Sequence, residues 1–322
     1  MGAGQLRQTR RRIRSIQSTA KITRAMELVA ASKMRRAQLN ALAARPYAER
    51  LRWVLADLAE TLPQIDPEDR HPLLQERDEV KSLELILVTP NRGLSGGLPG
   101  NLNRRAALFL TDRALPARII AVGRKGRDFM RRTRQNVVAE FLELGDYASY
   151  QDIRPIAQVA MEDFISREAD EVWLIYAEFV NTVTQRPVAL RLLPIEPPTA
   201  EETAATEAID YIYEPGRAEV LAELLPRYFE RSVYDAVLEA AASEQSARMV
   251  AMRNASDNAD ALSESLTLVY NKARQAGITS EILDIVGGAE ALHQSIEKLA
   301  VNLERDLAAH ERSRQAVVEQ QS

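Results

Sequence analysis

Apolar positions recur at three- and four-residue steps near the start of the chain: Ile13, Ile16, Ala20, Ala30, Met34, Ala37 and Ala41. That spacing marks one face of a helix. Residues 4–60 contain no Gly after Gly4 and a single Pro, Pro46. The pattern predicts one long helix, kinked near Pro46 where the ring deletes a backbone hydrogen bond. Its stripe is rich in alanine, so a partner helix can approach closely.

From Pro63 the texture changes to short apolar runs separated by helical stretches. Leu83–Thr89, Ala117–Val122, Val137–Leu144, Glu171–Phe179, Pro187–Leu193 and Ile209–Tyr213 read as strands, the third of them weak. Leu102–Leu110, Gly126–Arg132 and Ile153–Ile165 read as helices. Strands alternating with helices of this length predict an α/β region with a mainly parallel sheet. Between them, Glu196–Glu207 is polar and acidic with paired prolines, and reads as a solvated loop.

Beyond Arg217 a helical pattern returns with a seven-residue repeat. One series is Leu238, Gln245, Met252, Ala259, Leu266 and Ala273; the interleaved one is Ala241, Arg248, Ala255, Leu262, Val269 and Ala276. Ten of these twelve positions are apolar, which predicts a coiled-coil seam. A helix over 217–286 would be on the order of 100 Å long. The economical arrangement pairs the two terminal helices as an antiparallel coil with an α/β domain inserted between them. An intermolecular coil is the rival arrangement. Gly287-Gly288 would ordinarily end a helix, yet helical spacing resumes with Leu292, Ile296, Leu299, Leu303 and Leu307.

Composition narrows the chemistry. Of 322 residues, 46% are hydrophobic but only 5% aromatic, which favours helices. The absence of Cys removes disulfides, thiolate metal sites and cysteine nucleophiles. His71, His293 and His310 stand far apart, in no metal-binding spacing. No nucleophile–base arrangement is visible, so a catalytic role and a metal or other cofactor are not expected. There is no signal-peptide pattern and no run of transmembrane length.

Net charge is −4, unevenly spread. Residues 1–36 hold ten Lys/Arg against one acid, Glu27, a local balance of about +9. Such a face suits nucleic acid, an acidic membrane surface, an acidic protein partner or plain solvent. It lacks aromatic residues for stacking single-stranded bases.

Two glycine loops follow strands, Asn91–Gly97 (NRGLSGG) and Gly123–Gly126 (GRKG). Neither matches GxxxxGK[ST] or GxGxxG, and both read as tight structural turns rather than phosphate cradles. The polar clusters Asn254–Asn258 and Asn271–Gln275 read as exposed helix surface.

Longer strings carry a resemblance. Ile22–Arg36 (ITRAMELVAASKMRR), Arg45–Glu49 (RPYAE), Arg92–Gly97 (RGLSGG) and Tyr211–Pro215 (YIYEP) resemble the gamma subunit of F-type ATP synthases. So do Ser243–Asn258 (SEQSARMVAMRNASDN) and Leu268–Glu281 (LVYNKARQAGITSE), followed by Ile285–Ala289 (IVGGA). The likeness spans about residues 5–292.

The resemblance implies an α+β fold: a long antiparallel coiled coil of N- and C-terminal helices with an inserted α/β, Rossmann-like domain. It implies a rotor shaft, itself non-catalytic, that carries torque between ion flow at a membrane c-ring and ATP chemistry in beta subunits. The implied partners are the alpha and beta subunits of an alpha3beta3 head, the epsilon subunit and the c-ring, with no nucleic acid. The implied location is peripheral, on the cytoplasmic side of the bacterial plasma membrane. Arg274, Gln275 and Thr279 match positions that contact a beta-subunit loop near the upper shaft. Met26, beside Arg24, matches a coupling position, and Glu244 and Arg248 match polar residues of the lower shaft. Tyr211, Tyr213 and Glu214 match the foot that contacts the c-ring and epsilon.

The expected divisions are 1–62 and 216–292 for the two coil helices, 63–215 for the inserted domain and 293–322 for an extension. The family's glycine loop usually carries Cys where this chain has Ser95, and its members generally stop near the Gly-Gly pair. The extension is expected either to continue as helix or to fray. A basic coiled-coil protein that binds nucleic acid or acts as a scaffold is the alternative reading.

Overall fold

The computed structural model describes residues 3–59, 70–145, 148–197 and 213–319. The elements are α1 (Ala3–Ala59), β1 (Leu83–Val88), α2 (Leu98–Arg113), β2 (Ala117–Val122), α3 (Arg124–Arg132), β3 (Asn136–Phe141), α4 (Tyr150–Ile165), β4 (Glu171–Phe179), β5 (Gln185–Leu193) and α5 (Arg217–Glu319). A short 3-10 turn, Pro72–Leu74, precedes β1. The chain divides into two units, one of residues 1–20 with 257–322 and one of residues 21–256.

The larger unit is built on a five-stranded sheet of order β3-β2-β1-β4-β5. The first four strands are parallel, and β5 returns antiparallel on β4. Strand β1 lies at the centre with all six residues buried, as expected of a parallel strand covered on both faces, and is apolar but for Glu84. One face packs Ile86, Val88, Ile120, Val172 and Leu174 against Ile156, Ala160 and Phe164 of α4. The same cluster takes in Leu51, Leu55 and Leu58 of α1 and Leu221, Leu225, Phe229 and Val233 of α5. The other face packs Leu83, Leu85 and Leu87 against Leu102, Ala106 and Phe109 of α2 and Met130 of α3. The predicted strand at Ile209–Tyr213 lies outside the described residues except for Tyr213, which is not in a strand.

Contacts between α1 and α5 fix their direction within this unit. Glu27 pairs with Arg253 at 3.1 Å. Arg231 donates to the Ala44 carbonyl at 2.7 Å, and the Tyr213 hydroxyl, just before α5, donates to Asp57 at 2.5 Å. Rising numbers on α1 meet falling numbers on α5, so the pair is antiparallel and intramolecular. Helix α1 passes through Pro46 without ending.

The α1 stripe falls where the sequence places it: Ala20, Ala30 and Ala37 are buried, and Ile13, Ile16, Met34 and Ala41 are half-buried. On α5 the first repeat also holds, with Leu238, Gln245, Met252, Ala259 and Ala273 buried. The interleaved series does not. Ala242, Ser256 and Ser263 are buried, each one residue on from Ala241, Ala255 and Leu262. Leu262 and Val269 are both 50% exposed. The seam alternates four- and three-residue steps in the opposite phase, with the small polar Ser256 and Ser263 taking positions in it.

The smaller unit contains residues 1–20 and 257–322. Within it Ala20, Ala259, Ser263 and Ala273 are buried, and Thr267 donates its hydroxyl to the Ser263 carbonyl at 2.7 Å. Gly287-Gly288 does not end α5, which runs as helix to Glu319.

Candidate functional site

The parallel strands deliver their C-terminal loops to one edge of the sheet, where open α/β sheets usually bind ligands. Here those loops hold each other. Gly123 has φ +101°, and a Cβ there would sit 1.9 Å from the Thr89 carbonyl oxygen, so only glycine fits. The first amides of α3 are spent on the loop after β1: Arg124 N–H on Asn91 Oδ1 at 3.0 Å, Lys125 N–H on the Pro90 carbonyl at 3.2 Å, and Gly126 N–H on Thr89 Oγ1 at 2.8 Å. With its donors used, the α3 N-terminus is a joint and not an anion cradle.

The loop Asn91–Gly97 likewise closes on α5. Leu94 and Gly96 take positive φ, +67° and +59°. Gly96 faces the Ala251 side chain, with room for a Cβ at 3.8 Å, and Arg248 donates to the Gly93 carbonyl at 3.4 Å. Ser95 is buried and its hydroxyl has no hydrogen-bond partner, a position that tolerates an apolar or weakly polar group.

Beside this joint lies a groove of 810 Å³ between α1, the strand-end loops and α5. Met26, Lys33, Arg92, Arg124, Glu244 and Arg248 line it. The structure thus gathers three residues singled out in the sequence, Met26, Glu244 and Arg248. Glu244 and Arg248 pair at 2.5 Å one helical turn apart. Arg24 is exposed on α1, two residues before the half-buried Met26.

On α5, Arg274, Gln275 and Thr279 form an exposed polar surface within the smaller unit. The Thr279 hydroxyl donates to the Gln275 carbonyl at 3.0 Å. At the start of α5, Tyr213 is half-buried and Glu214 exposed. Tyr213 commits its hydroxyl to Asp57, and Arg217 stacks on its ring at 5.0 Å while pairing with Asp57 at 3.7 Å. Tyr213 therefore works inside the chain, tying the end of α1 to the start of α5. Tyr211 lies outside the described residues.

Two features were not picked out from the sequence. The first is the fastening around Arg231, whose guanidinium stacks on Tyr47 and Tyr234 and pairs with Asp235 at 2.7 Å. Next to it, Glu230 accepts hydrogen bonds from the Tyr150 hydroxyl and from Arg154 Nε of α4. The i,i+4 spacing of Arg231 and Asp235 was the only visible signal. Burial raises the Asp235 pKa, with the Arg231 hydrogen bond and charge opposing the shift.

The second is Glu84, fully buried on β1 with neither carboxylate oxygen hydrogen-bonded. Burial, followed by the neighbouring Asp163, pushes its pKa up to about 9 against the pull of Arg118. Arg118 is meanwhile engaged by Asp163 at 2.8 Å and Glu168 at 3.1 Å. A single carboxyl inside a strand-length apolar run gives no sequence signal beyond its own letter. Among the described residues no group of three metal-ligating side chains occurs, and no helix is long and apolar enough to cross a membrane.

The described parts are a fastened helix pair, interlocked strand-end loops and charged outer faces. The ATP synthase family model matches residues 5–292. The ATP synthase gamma chain of Dehalococcoides mccartyi strain CBDB1 is 54% identical over 287 residues, covering 89% of this chain and 99% of the relative. That of Chloroflexus aurantiacus strain J-10-fl is 50% identical over 289 residues, 89% and 98% respectively. Among solved structures, a chain of the Euglena gracilis mitochondrial ATP synthase, OSCP/F1/c-ring, aligns with a TM-score of 0.62 at 21% identity, covering 91% of this chain and 96% of that one. A chain of the Tetrahymena thermophila central stalk/c-ring gives 0.56 at 23%, covering 73% and 99%. The chain belongs to the ATP synthase gamma chain family.

Proposed function

We propose that this chain is the central rotor shaft of a rotary ATP synthase, transmitting torque between ion translocation at the c-ring and ATP synthesis or hydrolysis in the beta subunits. It forms no bond itself. Its partners are the alpha and beta subunits of the head, the epsilon subunit and the c-ring, and it sits peripherally on the cytoplasmic side of the membrane. Residues 1–62 and 216–292 serve as the shaft, 63–215 as the foot domain and 293–322 as an extension. The relatives, all gamma chains, give no support to a nucleic-acid-binding or scaffold role.

The observation that carries this reading is the way α1 and α5 join the sheet domain. Leu51, Leu55 and Leu58 of α1 and Leu221, Leu225 and Phe229 of α5 belong to the same buried cluster as the sheet and α4. Arg231, Glu230 and Tyr213 add polar ties at the same level. A twist applied to the sheet domain is therefore passed to both helices through close-packed side chains.

Contact with the beta subunits is assigned to Met26, Arg24, Glu244 and Arg248 around the groove, and to Arg274, Gln275 and Thr279 farther along α5. Contact with the c-ring and epsilon is assigned to Tyr211, Tyr213 and Glu214. Replacing Arg274 and Gln275 together by Ala in an assembled complex should lower coupled ATP synthesis several-fold while leaving assembly intact. Unchanged synthesis would remove those two residues from the coupling surface.

A further inference from the structure

Helix α1 has buried side chains on either side of a stretch that has none. Ala30 and Ala37 are buried on the seam, and Leu51, Leu55 and Leu58 are buried in the sheet–α4 cluster. From 38 to 50 every residue is half-buried or exposed, over roughly three and a half turns of helix. A groove of 440 Å³ runs beside this stretch, lined by Ala41, Leu42 and Arg45 of α1, Phe179 of β4 and Asp235 and Glu239 of α5. Pro46 falls inside it. A proline ring supplies no N–H, so the Leu42 carbonyl loses its helical donor, and the ring crowds that same carbonyl. Such a position ordinarily kinks a helix, yet α1 continues through it to Ala59.

Arg231 of α5, 9% exposed, reaches across this stretch. Its Nη2 donates to the Ala44 carbonyl at 2.7 Å, and its ring partners are Tyr47 at 5.6 Å and Tyr234 at 5.4 Å. Ala44 and Tyr47 flank Pro46, so one guanidinium holds α1 on both sides of the proline. Asp235 fixes that guanidinium with both carboxylate oxygens, from Nε at 2.9 Å and from Nη2 at 2.7 Å. Behind it, Tyr234 meets Tyr150 of α4 edge-on at 5.8 Å, and Tyr150 and Arg154 of α4 both donate to Glu230. The contacts form a continuous path from the interrupted turn of α1, through α5, to the helix that covers the sheet.

We propose that Arg231 is a positioning residue that braces α1 across Pro46 and thereby stiffens the helix pair against twist where α1 has no buried side chain. The twist part rests on the shaft reading above; the brace does not. The planar fork is essential to the role. A guanidinium can grip a carboxylate with two N–H groups, donate to a carbonyl and lie against two rings at once, whereas a lysine ammonium is a point charge that can keep only part of that set.

Hydrogen exchange of the free, full-length chain tests the brace. In Arg231→Met, amides between 42 and 50 should exchange roughly tenfold faster than in the parent, while amides 51–58 stay within about twofold. Arg231→Lys, which keeps the charge and covers the case in which the Met variant fails to fold, should exchange nearly as fast at 42–50. Full protection in the Lys variant would overturn the guanidinium brace in favour of charge alone. Pro46→Ala restores the missing N–H, so it should slow exchange at 42–50 more in Arg231→Met than in the parent; equal slowing in the two would separate Arg231 from the proline and overturn the link. Unchanged exchange in Arg231→Met, or a uniform rise across 21–256, would also overturn it, the latter by showing a general stabilising role. The twist part is read in a complex assembled with alpha and beta subunits, the head immobilised and a probe on the sheet domain. There Arg231→Met should at least double the variance of the probe's angle. Unchanged variance overturns the stiffening and leaves the shaft reading standing, whereas failure of the parent chain to enter such a complex removes the shaft reading and leaves the brace to the exchange result.

Discussion

The sheet core and the helical seam solve the packing problem in opposite ways. The core is made of leucine, isoleucine, valine and phenylalanine packed on both faces of a parallel sheet. The seam of the larger unit sets Ala30, Ala37, Ala242 and Ser256 beside Leu238, Gln245 and Met252, with fewer large apolar groups. Stability in the core comes from apolar area removed from water. Along the seam little area per residue is buried, and what small side chains give instead is close approach of two backbones. A shaft that must resist bending draws more from close approach than from volume.

Truncating the core should cost most. Phe164, fully buried, packs in the sheet–α4 cluster. Phe164→Ala should destabilise the purified chain by about 3–5 kcal/mol in thermal or denaturant unfolding. A smaller loss would mean that the core can collapse around the hole, which would narrow the contrast with the seam.

Glu84 is the exception inside the core, and pH exposes it. The folded state keeps its proton up to about pH 9, while the unfolded chain releases it near 4.5. Across that window the folded state binds more protons, so stability falls as pH rises and levels off above 9. Glu84→Gln should abolish that dependence. It should leave the variant more stable than the parent by an amount on the order of a few kcal/mol at pH 7.5, with the gap closing toward pH 4. Parallel melting curves across pH for the two chains would refute the assignment.

Overfilling the seam comes next. Ala30, 1% exposed, is buried on the seam, and Ala30→Leu should cost about 1–3 kcal/mol. Least of all, Leu262→Ala should change the stability of the isolated chain by no more than about 0.5 kcal/mol, because that side chain points away from the seam. A loss of several kcal/mol at Leu262 would restore the phase read from hydrophobicity.

That last pair shows what was legible in the sequence and what was not. The long α1, the strands Ala117–Val122 and Glu171–Phe179, and the α1 stripe could all be read off, since alternation of apolar and polar residues there tracks burial in the chain itself. The two glycine loops read as tight structural turns, and their closing onto neighbouring loops and α5 was not legible. On α5 the reading slipped by one residue, because Leu262 and Val269 are apolar yet exposed and Ser256 and Ser263 are polar yet buried. Reading apolar as buried presumes that burial is within the chain. A helix that presents aliphatic side chains outward breaks that presumption. Of the candidate surface, Met26, Glu244 and Arg248 converge on one groove, whereas the Arg231 fastening showed only the i,i+4 spacing of Asp235, its partners Ala44 and Tyr47 lying far away in sequence.

The antiparallel seam also has a consequence for biosynthesis. Arg231 meets Ala44 across 187 positions of sequence. At a synthesis rate of roughly 5–20 residues per second, α1 waits about 10–40 s for the helix that will cover it. During that interval its stripe has no partner helix to cover it. An alanine stripe is far less sticky than a leucine one, so the residues that allow close approach in the finished rod also keep the nascent helix from aggregating before its partner has been made.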